Sequence, residues 1–364
     1  MVQGNTKKKI RVLIVDDSSF MRMAIRGILE RDPDIEVAGS AIDGADGVKK
    51  AIELRPDIVT MDVEMPKMDG IAALKEIMAK APMRVIMVST LTNEGARSTF
   101  EALEAGAIDY IPKNITDSIT AQKIFKEELL RKVKAAVCSA APRKAALPGR
   151  VEREAIIRPA AAKLAPARIH CIGIGASTGG PVALQEVLSR IPANFPYGIM
   201  VVIHMPKAFT GPYADRLNAK CSLSIKEAVN GDVIKPGTAL IAPGGVHTTL
   251  VRQNGGMTVR IIPTSELPQY IYIPSVDQML TSMADVSNGA ALGVILTGMG
   301  SDGYKGMQHL KKKGGSTLVQ DEASSTIYGM PKACIEGGIA DLVLPLDQIG
   351  FEITKIAEQA KKLG

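Results

Sequence analysis

Five short apolar runs, Ile10–Val15, Ile35–Ala38, Ile58–Met61, Val85–Val88 and Ile108–Ile111, alternate with segments of helical spacing. The clearest of those segments puts Met21, Ala24, Ile25, Ile28 and Leu29 on one face. Strands that each wait for a helix before the next can join one sheet only through parallel crossovers, so this stretch predicts a doubly wound α/β layer structure. The alternation resumes at Cys171 with runs such as "GIMVVI" and "ALGVIL" and ends in the amphipathic tail "LDQIGFEITKIAEQAKKLG", which predicts a second α/β domain. The halves share a style of fold and no motif.

Between them the pattern fails. The stretch "AAVCSAAPRKAALPGRVEREAIIRPAAAKLAPAR" is Ala, Pro, Arg and Lys with few large apolar side chains, too few to offset the entropy of ordering it. It reads as a linker kept extended by its charge, and the boundaries expected are 1–136 for the first domain, 137–167 for the linker and 168–364 for the second domain. From Arg131 to Arg168 ten Lys and Arg face two Glu, so the whole-chain charge of +6 comes from this segment and the remainder sums to −2. A compact basic face for nucleic acid is therefore not expected. No apolar run approaches the roughly 18 residues of a membrane span, and the four cysteines lie far apart without metal-site spacing, so a cytoplasmic protein that is not membrane-inserted is the expectation.

In the first domain, acidic residues collect at strand ends. Asp16 and Asp17 follow the first strand and Asp62 closes the third, the edge where open α/β sheets place their sites. Carboxylates gathered there repel one another unless a hard divalent cation joins them, and an all-oxygen donor set suits Mg²⁺. Asp62 beside such an ion is also placed to accept a phosphoryl group. Ser89 and Thr90 close the fourth strand and Lys113 the fifth, positions from which hydroxyl and ammonium groups reach a new phosphate. A single acidic turn residue would signify only solvation, but suitable groups at four strand ends together point to a site.

From about Arg11 to Ala136 the chain resembles a response-regulator receiver domain. The resemblance implies a flavodoxin-like sheet of order 2-1-3-4-5, with Asp62 as phosphoacceptor and Asp16, Asp17 and Asp62 as ligands of Mg²⁺. It further implies Thr90 or Ser89 as the switch hydroxyl, Tyr110 as the aromatic switch and Lys113 as the phosphate partner, with a histidine kinase as phosphodonor. In one respect the chain departs from the family. Receivers follow this lysine with a cis proline, whereas here Pro112 precedes Lys113 and Asn114 follows it.

In the second domain, "CIGIGASTGG" runs from an apolar strand through glycines into a helix, and "GASTG" fits the G-x-S-x-G of a nucleophile elbow around Ser177. Alone the match is weak, since a structural turn would look alike. A dinucleotide fingerprint fits less well, because its third glycine would fall at Thr178. A serine nucleophile needs a base and an orienting acid at equivalent strand ends. Of four histidines, His170 precedes its strand, His309 sits in a helix and His247 is a distant second, while His204 closes "YGIMVVIH" on the same edge as Ser177. For the acid, Asp302 follows the strand and glycine break of "ALGVILTGMGSDG", with Asp321 as the alternative.

The strings "GASTGGP", "HMP", "APGG", "PSVD", "LTGMGSDG" and "YGMP" resemble the catalytic domain of the chemotaxis protein-glutamate methylesterase family. That resemblance implies Ser177 as nucleophile, His204 as base and Asp302 as orienting acid. Ile203 departs from the glutamine often found before that histidine. The chemistry implied is hydrolysis of glutamate methyl esters on the cytoplasmic domains of methyl-accepting chemoreceptors through an acyl-enzyme, with deamidation of glutamine as a second activity and no cofactor for the step. Backbone amides of Thr178 and Met299 are the candidate oxyanion donors. Phosphorylation at Asp62 would then relieve a receiver that covers the catalytic cleft.

Overall fold

The computed structural model describes residues 8–113, 118–138 and 169–363, in two compact units spanning 1–150 and 151–364. Nearly all of the expected linker and the peptide bond from Lys113 to Asn114 lie outside the described residues.

The first unit runs β1 (Ile10–Val15), α1 (Ser19–Leu29), β2 (Ile35–Ala41), α2 (Gly44–Leu54), β3 (Ile58–Asp62), α3 (Gly70–Lys80), β4 (Arg84–Ser89), α4 (Asn93–Glu104), β5 (Asp109–Pro112) and α5 (Ile119–Cys138). All strand pairs are parallel in the order β2-β1-β3-β4-β5, the order expected. Four helices begin on side-chain caps: Ser18, Asp43, Asp69 and Thr92 accept from the backbone amides of Met21, Asp46, Ala72 and Gly95, each satisfying one donor that a helix start leaves orphaned. Met21, Ile25 and Leu29 of α1 close over Val12, Ile14 and Ile58, and Phe125, Leu129 and Val133 of α5 complete that layer. Side chains of this kind each contribute about 1.5–3 kcal/mol on burial.

The second unit begins with β6 (Cys171–Ala176), α6 (Gly180–Ser189), β7 (Gly198–Ile203), α7 (Lys207–Lys220), β8 (Ser224–Glu227) and β9 (Thr238–Ile241). A hairpin of β10 (His247–Gln253) and β11 (Gly256–Ile262) follows, then α8 (Val276–Val286), β12 (Ala291–Ile295) and α9 (Tyr304–Lys312). It ends with β13 (Ser316–Gln320), α10 (Met330–Glu336), β14 (Leu342–Leu344) and α11 (Leu346–Leu363). Seven strands form a parallel sheet of order β14-β13-β12-β6-β7-β9-β8. The chain leaves β6 toward β7 on one side and later returns to β12 on the other, so the carboxyl end of β6 is a topological switch point.

The glycines of β6 have a packing role. A Cβ on Gly175 would meet Val276 Cγ1 at 2.3 Å, and one on Gly173 would meet Leu280 Cδ2 at 2.8 Å. Their absence lets α8 lie directly on the strand and brings its N-terminus to the switch point. The β10–β11 hairpin turns through Asn254 and Gly255, both at positive φ, 50° and 76°, as a two-residue turn requires. No helix among the described residues is long and apolar enough to cross a membrane.

Candidate active site

Three neighbouring strands deliver the second unit's polar cluster. Ala176 pairs with Ile203 as the last residues of β6 and β7, so Ser177 and His204 leave adjacent strands side by side. The His204 amide donates to Ala176 O at 3.2 Å, and the Ser177 amide donates to Thr297 O at 3.0 Å, just beyond β12. Gly298 lies flush against the serine, since a Cβ there would sit 2.9 Å from Ser177 Cβ. Thr178 follows Ser177 and Met299 follows Gly298, which places the two oxyanion candidates on the two segments that meet at the serine.

Asp302 lies past the glycine break that follows β12, as its sequence context suggests, and reaches the site from a loop. β12 ends at Ile295, and a glycine-bearing loop carries Asp302 across to the start of α8. There its Oδ2 lies 2.8 Å from His204 Nε2 and accepts from the Val276 amide at 2.7 Å. Oδ1 accepts from Ser275 Oγ at 3.0 Å, the Asp277 amide at 2.9 Å and the Gly303 amide at 3.1 Å. Burial would push this carboxyl up, but the bond and charge of His204, with the amides of Asp277 and Val276, outweigh it and hold the carboxyl below its usual range. Asp302 is thus held as a carboxylate, hydrogen-bonded at both oxygens and facing the imidazole.

With Nε2 taken by Asp302, the ring nitrogen left for a serine is Nδ1. Ser177 is buried, one residue past the register partner of Ile203, and its hydroxyl is not hydrogen-bonded to His204, so the structure joins two members of the expected triad and sets the third in the adjacent register position. Such contacts commonly tighten only when substrate is bound.

The alternatives separate cleanly. Asp321 spends Oδ1 on the amide and hydroxyl of Ser324, closing its own turn. His309 pairs with Asp285 on the surface of α8 and α9, 2.8 Å apart. His247 opens β10 and is fully buried under Tyr270, ring centroids 5.6 Å apart, with neither ring nitrogen bonded to any described residue. Burial pushes its imidazole down, the Asp302 charge opposing.

Three further residues contribute to the site without a role assigned to them from the sequence. Tyr272 stacks on His204 with ring centroids 4.6 Å apart and planes within 5°. Ser275 caps α8 through the Gln278 amide, and its S-x-x-Q spacing is the capping-box signature that "PSVDQ" displays. Asp277 accepts at Oδ1 from the amides of Gly303 and Gly306.

In the first unit, Lys113 Nζ lies 2.5 Å from Asp62 Oδ2 and 3.1 Å from Asp16 Oδ2. Carboxylate oxygens of Asp16, Asp17 and Asp62 all fall within 4.8 Å of one another. Burial, with the Asp16 charge adding to it, pushes the Asp62 carboxyl up to about 6 in spite of Lys113. An oxygen-only cluster holding charge at such cost fits a hard divalent cation. Ser89 and Thr90 differ in surroundings. The Ser89 hydroxyl is buried, donating to Gly95 O at 3.2 Å and accepting from Thr99 Oγ1 at 2.8 Å, both on α4. Thr90 is half-buried, its Oγ1 3.4 Å from that of Thr92. Tyr110 is buried in β5, with Lys132 Nζ 5.1 Å from its ring centroid.

Residues 172–353 match the family model described as CheB methylesterase, and residues 12–125 match that of the response regulator receiver domain. Protein-glutamate methylesterase/protein-glutamine glutaminase 5 of Geobacter metallireducens is 67% identical over 356 residues, covering 97% of this chain and 99% of that protein. Protein-glutamate methylesterase/protein-glutamine glutaminase 1 of Geobacter sulfurreducens is 64% identical over 364 residues, covering 98% and 99%. A protein of the same name from Pyrococcus abyssi is 41% identical over 364 residues, covering 98% and 96%.

Proposed function

The chain belongs to the CheB methylesterase family, with a response regulator receiver domain ahead of its methylesterase domain, and from that premise we propose that Ser177, His204 and Asp302 hydrolyse glutamate methyl esters on chemoreceptors. The observation that supports the residue assignment is the 2.8 Å contact of Asp302 Oδ2 with His204 Nε2, with Ser177 and His204 each following one of the register partners Ala176 and Ile203.

Ser177 Oγ attacks the side-chain carbonyl of the esterified glutamate while His204 Nδ1 takes its proton. The imidazolium so formed is stabilised by Asp302, which stays ionised. The tetrahedral oxyanion falls to the amides of Thr178 and Met299, each worth about 3 kcal/mol if aimed at it. Collapse returns the proton to departing methanol, and a water activated by the same Nδ1 resolves the acyl-enzyme to free glutamate. A glutamine side chain presents the same carbonyl, with ammonia as leaving group.

The receiver domain supplies control through phosphorylation of Asp62 by the chemotaxis histidine kinase. Asp16, Asp17 and Asp62 would hold Mg²⁺, which when bound neutralises phosphoryl oxygens during transfer. Lys113 pairs with the phosphate once Asp62 carries it, Thr90 supplies the switch hydroxyl and Tyr110 the aromatic switch.

Methanol release from methylated chemoreceptor membranes, compared among wild type, Ser177→Ala and His204→Ala, tests the reading. Both variants are expected to lose release by about 10³-fold or more. Retained release in either removes the assignment.

A further inference from the structure

Asp302 and Asp277 exchange helix ends. Asp302, one residue ahead of the cap of α9, gives its carboxylate to the start of α8, accepting from Ser275 Oγ and from the amides of Val276 and Asp277. Asp277, in the first turn of α8, gives Oδ1 to the start of α9, accepting from the Gly303 amide at 2.9 Å and the Gly306 amide at 2.8 Å. Each carboxylate therefore holds the helix to which the other belongs, and the loop carrying Asp302 is gripped from both sides.

We propose that Asp277 is a positioning residue for ester hydrolysis, fixing Asp302 Oδ2 in line with His204 Nε2 through its hold on the Gly303–Gly306 turn. The inference rests on the triad reading of Ser177, His204 and Asp302. Two glycines make the grip possible. Gly303 adopts φ +97°, and a Cβ at Gly306 would lie 2.9 Å from Asp277 O and 2.7 Å from Leu280 Cβ, forcing the helices apart. An orienting carboxylate that shifts by about 1 Å costs on the order of 10²-fold in rate, so a second carboxylate that locks the first has catalytic leverage without touching substrate.

The lock is sensitive to protons. Burial, with the Asp302 charge adding to it, pushes the Asp277 carboxyl up to about 6, while the Gly306 and Gly303 amides and Lys305 act the other way. Tyr270, in the loop before α8, and Cys334 of α10 both feel its charge. As pH falls through about 6 Asp277 takes up a proton, and a neutral acid accepts from two amides more weakly than a carboxylate. The hold is complete above that pH and lost below it. Asp302, held below the usual carboxylate range, stays ionised through the same window, so the two acids are separable.

The test uses the full chain, with methanol release from methylated chemoreceptor membranes followed from about pH 5 to 8 for wild type, Asp277→Ala and Asp277→Asn. Asp277→Ala is expected to lower kcat about 10-fold or more with KM within about twofold. Asp277→Asn, neutral at every pH as the protonated acid is, is expected to lower kcat severalfold at pH 8, less than Asp277→Ala because one oxygen remains for the amides. Its acid limb should be shallower than wild type by one proton, a readout that a merely structural role would not move. Wild-type kcat in Asp277→Ala, or acid limbs of equal slope, overturns the inference; should Asp277→Ala fail to fold, the slope in Asp277→Asn decides alone. Ser177→Ala runs alongside: if it still releases methanol the triad reading fails, whereas an inactive Ser177→Ala with an unaffected Asp277→Ala sinks only the positioning role.

Discussion

The ring of Tyr272 lies parallel to the imidazole of His204, centroids 4.6 Å apart, while its hydroxyl lies over Gly300, where an added Cβ would come within 2.3 Å of it. Asp302 fixes one ring nitrogen of His204, and Tyr272 fixes the plane. Contacts of this kind contribute about 0.5–1.5 kcal/mol beyond the area they bury, so Tyr272→Leu is expected to lower kcat/KM by about 3- to 10-fold and Tyr272→Phe to leave it within about twofold. Steady-state methanol release checks both, and an unaffected leucine variant would show that Asp302 alone holds the ring.

Asp302→Asn should be far more damaging than its small change in shape suggests. Both oxygens accept from donors, Oδ2 from the Val276 amide and facing His204 Nε2, Oδ1 from Ser275, Asp277 and Gly303. Whichever way the asparagine turns, its NH₂ faces donors. An unmade buried bond costs about 1–3 kcal/mol of stability, and the loss of the acceptor that selects the Nε2–H tautomer should cost kcat about 10³-fold or more. Thermal unfolding and methanol release measured together test this; a variant with native stability and activity would remove Asp302 from the mechanism.

In the first unit the sign of the electrostatics is reversed. The Asp62 carboxyl, pushed up to about 6, is raised above its value in an unfolded chain, so the native state loses stability as pH rises from about 4 to 6 and carries that strain at neutral pH. Asp62→Asn is accordingly expected to raise the receiver's unfolding temperature at pH 7, a gain on the order of 2 kcal/mol. Mg²⁺ should stabilise wild type by mass action and Asp62→Asn much less. Calorimetric scans with and without the ion decide, and equal responses of the two proteins would argue against Asp62 as a ligand.

What the sequence disclosed and what it hid divide by range of interaction. Parallel pairing, the strand-end acids and the joint edge of Ser177 and His204 follow from alternation and spacing, which are local, whereas the strand order came only with the resemblance to receivers. The place of Asp302 past its strand was legible but its partners were not, because Ser275, Val276 and Asp277 lie 25 to 27 residues away and meet it only when α8 packs on β6. Gly173 and Gly175 held that information as an absence of side chains, which a dinucleotide turn would also show. The hairpin went unread although "QNGG" carries its turn signal, and His247 meets Tyr270, which lies in a loop with no periodicity. Ser89 and Thr90, adjacent and chemically alike, are separated only by the direction in which a strand end points.

That last pair yields a discriminating experiment. Ser89 is buried with its hydroxyl between Gly95 O and Thr99 Oγ1, so Ser89→Ala should cost the receiver about 1–2 kcal/mol by leaving the Thr99 hydroxyl with one partner fewer, while phosphorylation at Asp62 still activates methanol release. Thr90 is half-buried, and its hydroxyl's one hydrogen-bond partner among the described residues is that of Thr92 at a long 3.4 Å, so Thr90→Ala should change stability by no more than about 0.5 kcal/mol. If Thr90 supplies the hydroxyl for the new phosphate, that variant should blunt activation by a small-molecule phosphodonor severalfold while basal release is unchanged. Denaturant midpoints and donor-stimulated rates for the two variants test the division, and the opposite pattern, with activation lost in Ser89→Ala and kept in Thr90→Ala, would assign the switch to the buried residue.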